Sequence, residues 1–299
     1  MTHTSRSDNF RHLASANLLA LALTSPSLAT SRLPLAPVSL QSSVASRREA
    51  ADSPAVRLTL EQVKAKLSAA AGDSLPSLSN ADLSGLDLSG IDFKRANLTG
   101  ARLVNSKLTH ANLFSCDLTD AVLTGADLSR ANLDGTVLRR ADFQRANLEG
   151  ASLFATIIEA ADLRGANLSG ARIIGYLRGA KLAGAKLVNA NAGADPGNQS
   201  MGVMRATFVS ADLSGADLSG ANLFKADFSH AKLTQARLQN VNLNNAELVQ
   251  ADLTQADVTG AKLAKADLYG ADFTGAVGVA KIQGLDQARN RDKAIFDAK

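Results

Sequence analysis

Residues 81–130 read ADLSG LDLSG IDFKR ANLTG ARLVN SKLTH ANLFS CDLTD AVLTG ADLSR, and the same five-residue pattern continues to Gly175. The first position of each unit is small, usually Ala, the third is Leu, Phe or Ile, and the other three are mostly polar. Nineteen such units can be counted between Ala81 and Gly175. A short period repeated in this way indicates a solenoid, in which each unit is stable only against its neighbours.

The five-residue period excludes the two common regular structures. A helix turns about 100° per residue, so positions one and three of successive units would spread around its circumference. A straight strand has a period of two residues and loses phase with this repeat after one unit. We therefore expect three extended residues, with positions one and three pointing the same way, and then a corner that resets the phase. Repetition of this unit closes a coil with the Ala and Leu side chains inside.

The tandem A-(D/N)-L-x-x motif resembles the pentapeptide-repeat family over about two-thirds of the chain. The resemblance implies an all-β fold, a right-handed quadrilateral β-helix with four units per coil. The small residue and the Leu or Phe would point inward, and residues 20 positions apart would stack in ladders. One such ladder comprises Leu83, Leu103, Leu123, Phe143 and Leu163, and each buried Leu or Phe contributes about 1.5–3 kcal/mol.

Two interruptions divide the repeat domain, which we place at residues 81–275. The Leu register shifts by one residue after Ile173, which predicts a shortened unit at residues 176–179. The pattern then dissolves between Asn191 and Arg205, and this Gly- and Pro-containing stretch is expected to be a loop that leaves the coil. Its Met201 and Met204 are candidate apolar contacts, and a tolerated insertion without function is the alternative explanation of the loop. The repeat resumes at Ala206 for fourteen units.

Short helices are expected at both ends of the solenoid. Thr59 and Gln62 form a capping-box pair ahead of the apolar face of Leu60, Val63 and Leu67, so residues 58–80 are predicted to cover the first coil. Residues 276–299 are predicted to form a C-terminal helical cap from about Leu285, with Ala288, Ile295 and Phe296 on its apolar face. Some members of the family dimerise through this end, so the resemblance implies a homodimer as one alternative.

The N-terminal residues 1–29 have the order of a secretory signal. Arg6 and Arg11 precede the apolar run 13–23, and small residues follow Pro26. The run is too short to span a bilayer, so no membrane span is expected. A secreted or periplasmic protein is the first interpretation. The Ser- and Arg-rich composition up to Arg48 also fits an organellar transit peptide, and a cytoplasmic protein with a disordered tail is a third. Residues 30–57, rich in Ser and Pro, are predicted to be a linker.

The sequence argues against catalysis, and we expect no cofactor and no metal. His110 and His230, the only His residues in the repeats, are about six coils apart by count. The Asp residues recur at position two on a convex surface, which lacks the cleft that separates the pKa values of an acid–base pair. Gly recurs at corners instead of in a nucleotide-binding loop. The lone Cys116 replaces Ala and is expected to be buried and inert.

Two further expectations concern the corners and the outer surface. Since Arg95, Arg130 and Arg140 stand where other units have Gly, the corner is expected not to need a positive φ. Outward apolar residues mark a candidate interaction surface. A first set is spaced by multiples of 20 residues and comprises Phe114, Phe154 and Ile174. A second set, on another face, comprises Val137 and Ile157, and Phe224 is a further outward ring in the later block.

The functional prediction is a non-catalytic structural or protein-interaction scaffold, a rod exported from the cytoplasm that binds a protein partner of unknown identity. The resemblance raises an alternative, a DNA-mimicking modulator of the topoisomerase gyrase in the cytoplasm. Mimicry of phosphates needs a strongly negative face. Residues 79–275, however, carry 19 Lys and Arg against 20 Asp and Glu, and the net charge of +4 comes from the two ends. The sequence also argues against direct nucleic-acid binding, because it lacks the aromatic side chains that would form stacking platforms.

Overall fold

A computed structural model describes residues 56–69, 74–194 and 204–297, all within one compact unit, Pro54–Lys299. The predicted signal segment and nearly all of the linker lie outside the described residues. In most five-residue units, the second residue forms a parallel β-bridge with the second residue of a unit 20 positions on, as in Asp82–Arg102 and Asp87–Lys107. Four units therefore complete one coil, as the family resemblance implied.

The bridged residues form four columns along the solenoid, which we number by their order in the chain. A unit belongs to the column of its second residue. In the first two full coils, column 1 contains Asp82 and Arg102, column 2 Asp87 and Lys107, column 3 Asp92 and Asn112, and column 4 Asn97 and Asp117.

Backbone hydrogen bonds join each unit to the coils before and after it. Leu83 N donates to Arg102 O at 2.7 Å, and Arg102 N donates to Ala81 O at 2.9 Å. The corner is closed by the second residue itself, because Asp82 Oδ1 accepts from Ser84 N at 3.0 Å. This Asx turn recurs through the solenoid and gives the Asp or Asn at position two a structural role, which the sequence interpretation missed.

Every corner of the regular units uses a left-handed backbone, so the expectation that it needs no positive φ is wrong. Arg95, Arg130 and Arg140 have φ of 61°, 57° and 58°, close to the 67° of Gly100. A left-handed conformation costs a side-chain-bearing residue about 1–2 kcal/mol. The left-handed conformation is retained because the N–H of the corner residue donates a hydrogen bond to the next coil. Arg130 N, for example, donates to Glu149 O at 2.9 Å.

The interior is one continuous apolar cluster built from positions one and three. The predicted ladder from Leu83 to Leu163 is buried throughout, and so is Cys116, which occupies an inward Ala position. Phe208 and Phe228, on successive coils, stack with ring centroids 4.6 Å apart. These packed columns leave no interior space for a ligand among the described residues.

The shortened unit lies one unit earlier than predicted. Strands β1 (Ser152–Ile157) and β2 (Arg172–Tyr176) pair in parallel, and the register shifts where Thr156 pairs with Gly175. Ala171–Ile174 is therefore the four-residue unit, and Gly175 fills the inward small position of the next one. A Cβ at Gly175 would meet the carbonyl oxygen of Thr156 and lie 2.7 Å from its Oγ1. The close approach of two coils explains why Gly is required here.

The loop also begins later than predicted. Asn191 still bridges Asn222, and Ala192 N and Ala194 N donate to Asn222 O and Phe224 O at 2.8 Å. Residues 195–203 lie outside the described residues, and the bridges resume at Thr207. Column 4 therefore pairs Tyr176 with Thr207, 31 positions on, without a break between coils.

At the N-terminal end, the predicted helix is confirmed. Helix α1 spans Leu60–Ala69, and its capping box is formed: Thr59 N donates to Gln62 Oε1 at 2.8 Å, and Gln62 N donates to Thr59 Oγ1 at 3.3 Å. Val63 and Leu67 are buried in the same cluster as the first coil. No helix in the described ranges is long and apolar enough to cross a membrane.

The predicted C-terminal helix is wrong. Residues 276–297 continue the coil with six-residue units, whose bridged residues are Val277, Gln283, Arg289 and Ile295. Each corner holds one turn of 3-10 helix, at Val279–Lys281, Leu285–Gln287 and Arg291–Lys293. A left-handed residue precedes each turn, at Gly278, Gly284 and Asn290. The period was visible in the sequence as AVGVAK IQGLDQ ARNRDK AIFDAK, and the inter-coil bonds of these units exclude a continuous helix.

Candidate functional site

In the described part of the chain the interior of the solenoid is filled, so another molecule would have to bind on the outer surface. The carboxylates at position two mostly accept hydrogen bonds from neighbouring residues of the solenoid. Asp252, for example, accepts from Thr254 N at 3.0 Å, from Thr254 Oγ1 at 2.6 Å and from Thr234 Oγ1 at 3.0 Å. No group of His, Cys, Asp and Glu among the described residues is arranged to hold a metal ion. His110 and His230 are corner residues of different columns.

The thiol of Cys116 is buried, and its position makes it unreactive. Burial raises its pKa to about 12, and the charge of Asp92 acts in the same direction. Hydrogen bonds from the backbone of Ala96 and Arg95 oppose this shift only in part. Because the thiolate is the nucleophilic form, this cysteine is not a candidate catalytic residue.

The predicted outward Phe residues share one column. Phe114, Phe154 and Phe224 each occupy position four of a column 3 unit. Phe114 is 44% exposed, whereas Phe154 lies beneath Arg172, whose Cζ is 4.1 Å from the ring centroid. Lys225 Nζ lies 5.3 Å from the centroid of Phe224. The three rings are coils apart and form no continuous apolar surface.

Ile174 was predicted to point outward, and this is wrong. It is 2% exposed, because the shortened unit Ala171–Ile174 leaves no normal corner and turns its last side chain inward. Met204 is half-buried, and Met201 lies outside the described residues.

Val137 and Ile157 gain a neighbour that the sequence did not suggest. Both are half-buried residues of column 4 on successive coils, and Ile157 pairs with Tyr176 on the next coil. Tyr176 is 48% exposed. Its spacing from Ile157 is 19 residues instead of 20, so only the location of the shortened unit could have revealed the pairing. We call Val137, Ile157 and Tyr176 the apolar column.

The apolar column has a polar border formed by position four of the same units. Arg139 and Glu159 form an ion pair across two coils, with Nε and Oε2 3.1 Å apart. Arg178 occupies the same position in the unit of Tyr176. An apolar strip rimmed by charged side chains is typical of a protein-binding surface.

Charge is divided unequally between the columns, although the repeat body as a whole is nearly neutral. Among residues 91–267, column 3 units carry six Lys and Arg against two acids, and column 4 units carry three against six. The cations of column 3 are Lys94, Arg95, Arg172, Lys225, Lys262 and Lys265. The total charge of the sequence concealed this division.

An open groove of about 660 Å³ follows the corner after column 3. Its walls are Arg205, Lys225, Asn245, Lys265 and Arg289, and we call it the corner groove. A smaller depression of about 350 Å³ lies at the corner after column 2, beside His110, Arg130 and Glu149. The corner groove is mainly basic, and none of its residues was singled out as a binding residue from the sequence.

Comparison with known proteins identifies the repeat. The family model described as pentapeptide repeats matches eight copies, in residues 77–113, 116–153, 204–240 and 236–275. No curated protein sequence matches the chain.

Three solved structures are similar to parts of the chain. HetL, a pentapeptide repeat protein involved in heterocyst differentiation regulation in the cyanobacterium Nostoc sp. strain PCC 7120, is 30% identical, with a TM-score of 0.38; the match covers 80% of this chain and 99% of HetL. QnrB1, a plasmid-mediated fluoroquinolone resistance protein, is 20% identical over 73% of this chain and 94% of its own, with a TM-score of 0.27. A pentapeptide repeat protein of the Arabidopsis thaliana thylakoid lumen is 24% identical over 61% and 68%, with a TM-score of 0.20.

Proposed function

Since the chain belongs to the pentapeptide-repeat family, we propose that it is a non-catalytic scaffold that binds a partner protein through the apolar column. The observation that carries this proposal is the stacking of Val137, Ile157 and Tyr176 on three successive coils. From the family resemblance we also infer a right-handed, four-sided coil. Helix α1 and the six-residue units would then cover its two ends.

The position of the apolar column favours a protein partner over a small molecule. It lies on an outward column of the solenoid, so it cannot enclose a ligand on several sides as small-molecule sites do. Tyr176 offers an apolar ring with a polar tip, and such residues are enriched at protein interfaces. Because the bridges fix the backbone of the three residues, little backbone freedom is lost on binding.

A photo-crosslinking experiment in the native host tests this function. Replacement of Tyr176 by p-benzoylphenylalanine is expected to yield one discrete protein adduct. The matched control is the same replacement at Tyr269, which is 50% exposed. Tyr269 belongs to a column 4 unit, as Tyr176 does, but it is not part of the apolar column. Ile157→Ser should weaken the adduct at position 176. The same adducts at positions 176 and 269, or none at 176, would contradict the proposal.

Export is a separate part of the proposal and rests on the sequence of residues 1–29. We expect a mature N-terminus near Thr30 in a fraction outside the cytoplasm, identified by fractionation of the host and mass spectrometry. An intact N-terminus in the cytoplasm would contradict export and leave the gyrase alternative to be tested by a supercoiling assay.

The charge pattern argues against that alternative. The longest acidic run among the bridged columns is Asp227, Glu247 and Asp267 in column 4. Arg205 pairs with Asp227 and Glu247, and Arg289 with Asp267, at 2.7–3.7 Å. A DNA mimic needs a negative face that stays uncompensated.

A further inference from the structure

The corner groove presents two lysines that have no ion-pair partner among the described residues, and both lie on one row of corner residues. Lys225, Asn245 and Lys265 are the corner residues of three successive coils, with φ of 60°, 59° and 60°. Lys225 N donates to Asn244 O at 3.0 Å, and Asn245 N donates to Ala264 O at 2.9 Å, so the spacing of the row is set by the inter-coil bonds. Neither lysine forms an ion pair with another described residue.

The two arginines of the groove form ion pairs within the protein. Arg205 Nη1 lies 2.7 Å from Glu247 Oε1, and Arg205 Nη2 lies 3.4 Å from Asp227 Oδ2. Arg289 Nε donates to Lys265 O at 3.3 Å, and its Nη2 lies 3.7 Å from Asp267 Oδ2. These pairs engage both guanidinium groups and offset part of the charge of the three acids Asp227, Glu247 and Asp267. The ammonium groups of Lys225 and Lys265 are therefore the charges left for a ligand.

We propose that the corner groove binds an acidic, extended segment of a partner protein, with carboxylates three residues apart on Lys225 and Lys265. Coils repeat at about 4.8 Å, so the two lysine positions are about 9.6 Å apart. A polyproline II segment has three residues per turn and rises about 3.1 Å per residue, so carboxylates at i and i+3 lie on one face about 9.3 Å apart. The two spacings agree.

Asn245 completes this site between the two lysines. The backbone of a polyproline II segment makes no internal hydrogen bonds, so its carbonyl groups are open to the side-chain amide of Asn245. This binding site is separate from the proposed function, because it involves different residues from the apolar column and selects its ligand by charge.

Nucleic acid fits the groove less well. Its affinity depends on neutralising many phosphates, and the groove offers two free ammonium groups. The ring of Phe224 has Lys225 Nζ 5.3 Å from its centroid, so it is not a bare platform for base stacking.

Fluorescence anisotropy with the full chain tests the proposal. The probe is a labelled peptide of four Pro-Pro-Glu repeats, and the control probe has Gln in place of each Glu. The test variant is Lys225→Gln/Lys265→Gln, since Gln235 already occupies such a corner with φ of 59°. The matched control is Lys107→Gln/Lys186→Gln, which removes the same charge from exposed positions of column 2. Equal urea midpoints confirm that the variants are folded.

We expect the Glu peptide to bind the wild type and the column 2 control alike, and the Gln peptide not to bind. The Kd for the Glu peptide should rise about 2- to 30-fold in the Lys225/Lys265 variant, as the loss of two exposed ion pairs implies. Tyr176→Ser should leave this Kd unchanged, so failure of the apolar column would not affect the result.

Three results would overturn the proposal. The first is no saturable binding of the Glu peptide to the wild type, and the second is an equal loss in both double variants, which would show a general charge effect. The third is tighter binding of a labelled dT12 oligonucleotide that depends on Lys225 and Lys265, which would reassign the groove to nucleic acid.

Discussion

Gly175 packs against Thr156 of the preceding coil with no room for a side chain. A Cβ at residue 175 would lie 2.7 Å from Thr156 Oγ1 and 3.1 Å from Thr156 N. This contact is the point where the spacing between coils changes from 20 to 19 residues. The residue is needed for its lack of a side chain and not for a left-handed backbone, because it does not have a positive φ.

Gly175→Ala should therefore destabilise the fold by overpacking, by about 1–3 kcal/mol. The free energy of unfolding from urea titration measures the loss. Gly170→Ala is the control, because its Cβ would have no atom within 4 Å but its φ is +64°, so only the left-handed backbone is penalised. A loss at residue 175 no larger than at residue 170 would show that the coils can separate there.

The stacked rings of Phe208 and Phe228 should carry much of the stability of the second repeat block. Both are fully buried, and their planes are 5° from parallel. Phe228→Ala should reduce the free energy of unfolding by about 3–5 kcal/mol. Phe228→Leu should cost less, since Leu fills this position in most units. Phe114→Ala, at an exposed site, should change stability by no more than about 0.5 kcal/mol; a large loss there would contradict the assigned exposure.

Asp252 should make the solenoid sensitive to acid. Partial burial acts to raise its pKa, but hydrogen bonds from the Thr254 hydroxyl and amide and from the Thr234 hydroxyl, with the charge of Lys232, outweigh this and lower the pKa. A folded-state pKa below the unfolded one means that the ionised carboxylate stabilises the fold above about pH 4, and that this contribution is lost as the pH falls through the folded pKa.

Asp252→Asn keeps an oxygen that can accept from Thr254 N but removes this titration. Urea midpoints at pH 7 and at descending pH below 4 should show the variant less stable than the wild type at pH 7, and the gap should narrow in acid. A gap that is constant across this range would mean that the charge of Asp252 contributes nothing.

Cys116 should report unfolding without disturbing the fold. Because burial raises its pKa to about 12, almost no thiolate exists at pH 8 in the folded chain. Ellman's reagent should fail to react with the folded protein and react with one thiol per chain across the urea transition. Full labelling of the native protein within minutes would show that the coil around Cys116 opens readily.

The sequence alone determined which side chains of a unit point inward, although it revealed neither the left-handed corner nor the Asx turn. The five-residue period excluded helix and strand, placed Ala and Leu inside, and located the capping box of Thr59 and Gln62. These features are local, because the direction of a side chain within a unit depends on the phase of its own few residues. Hence the long ladders, such as Leu83 to Leu163, were predicted correctly.

The tertiary structure decided which units meet. The partner of a residue on the next coil depends on the number of residues in between, so the removal of one residue before Gly175 brought Tyr176 onto Ile157. The next coil contains eleven extra residues, and Tyr176 still pairs with Thr207 across it. The corner groove arose in the same way, since Arg205 and Arg289 reach it across an insertion and a change to six-residue units. Local patterning sets how a unit folds, but only the closed inter-coil hydrogen bonds set which surface residues become neighbours.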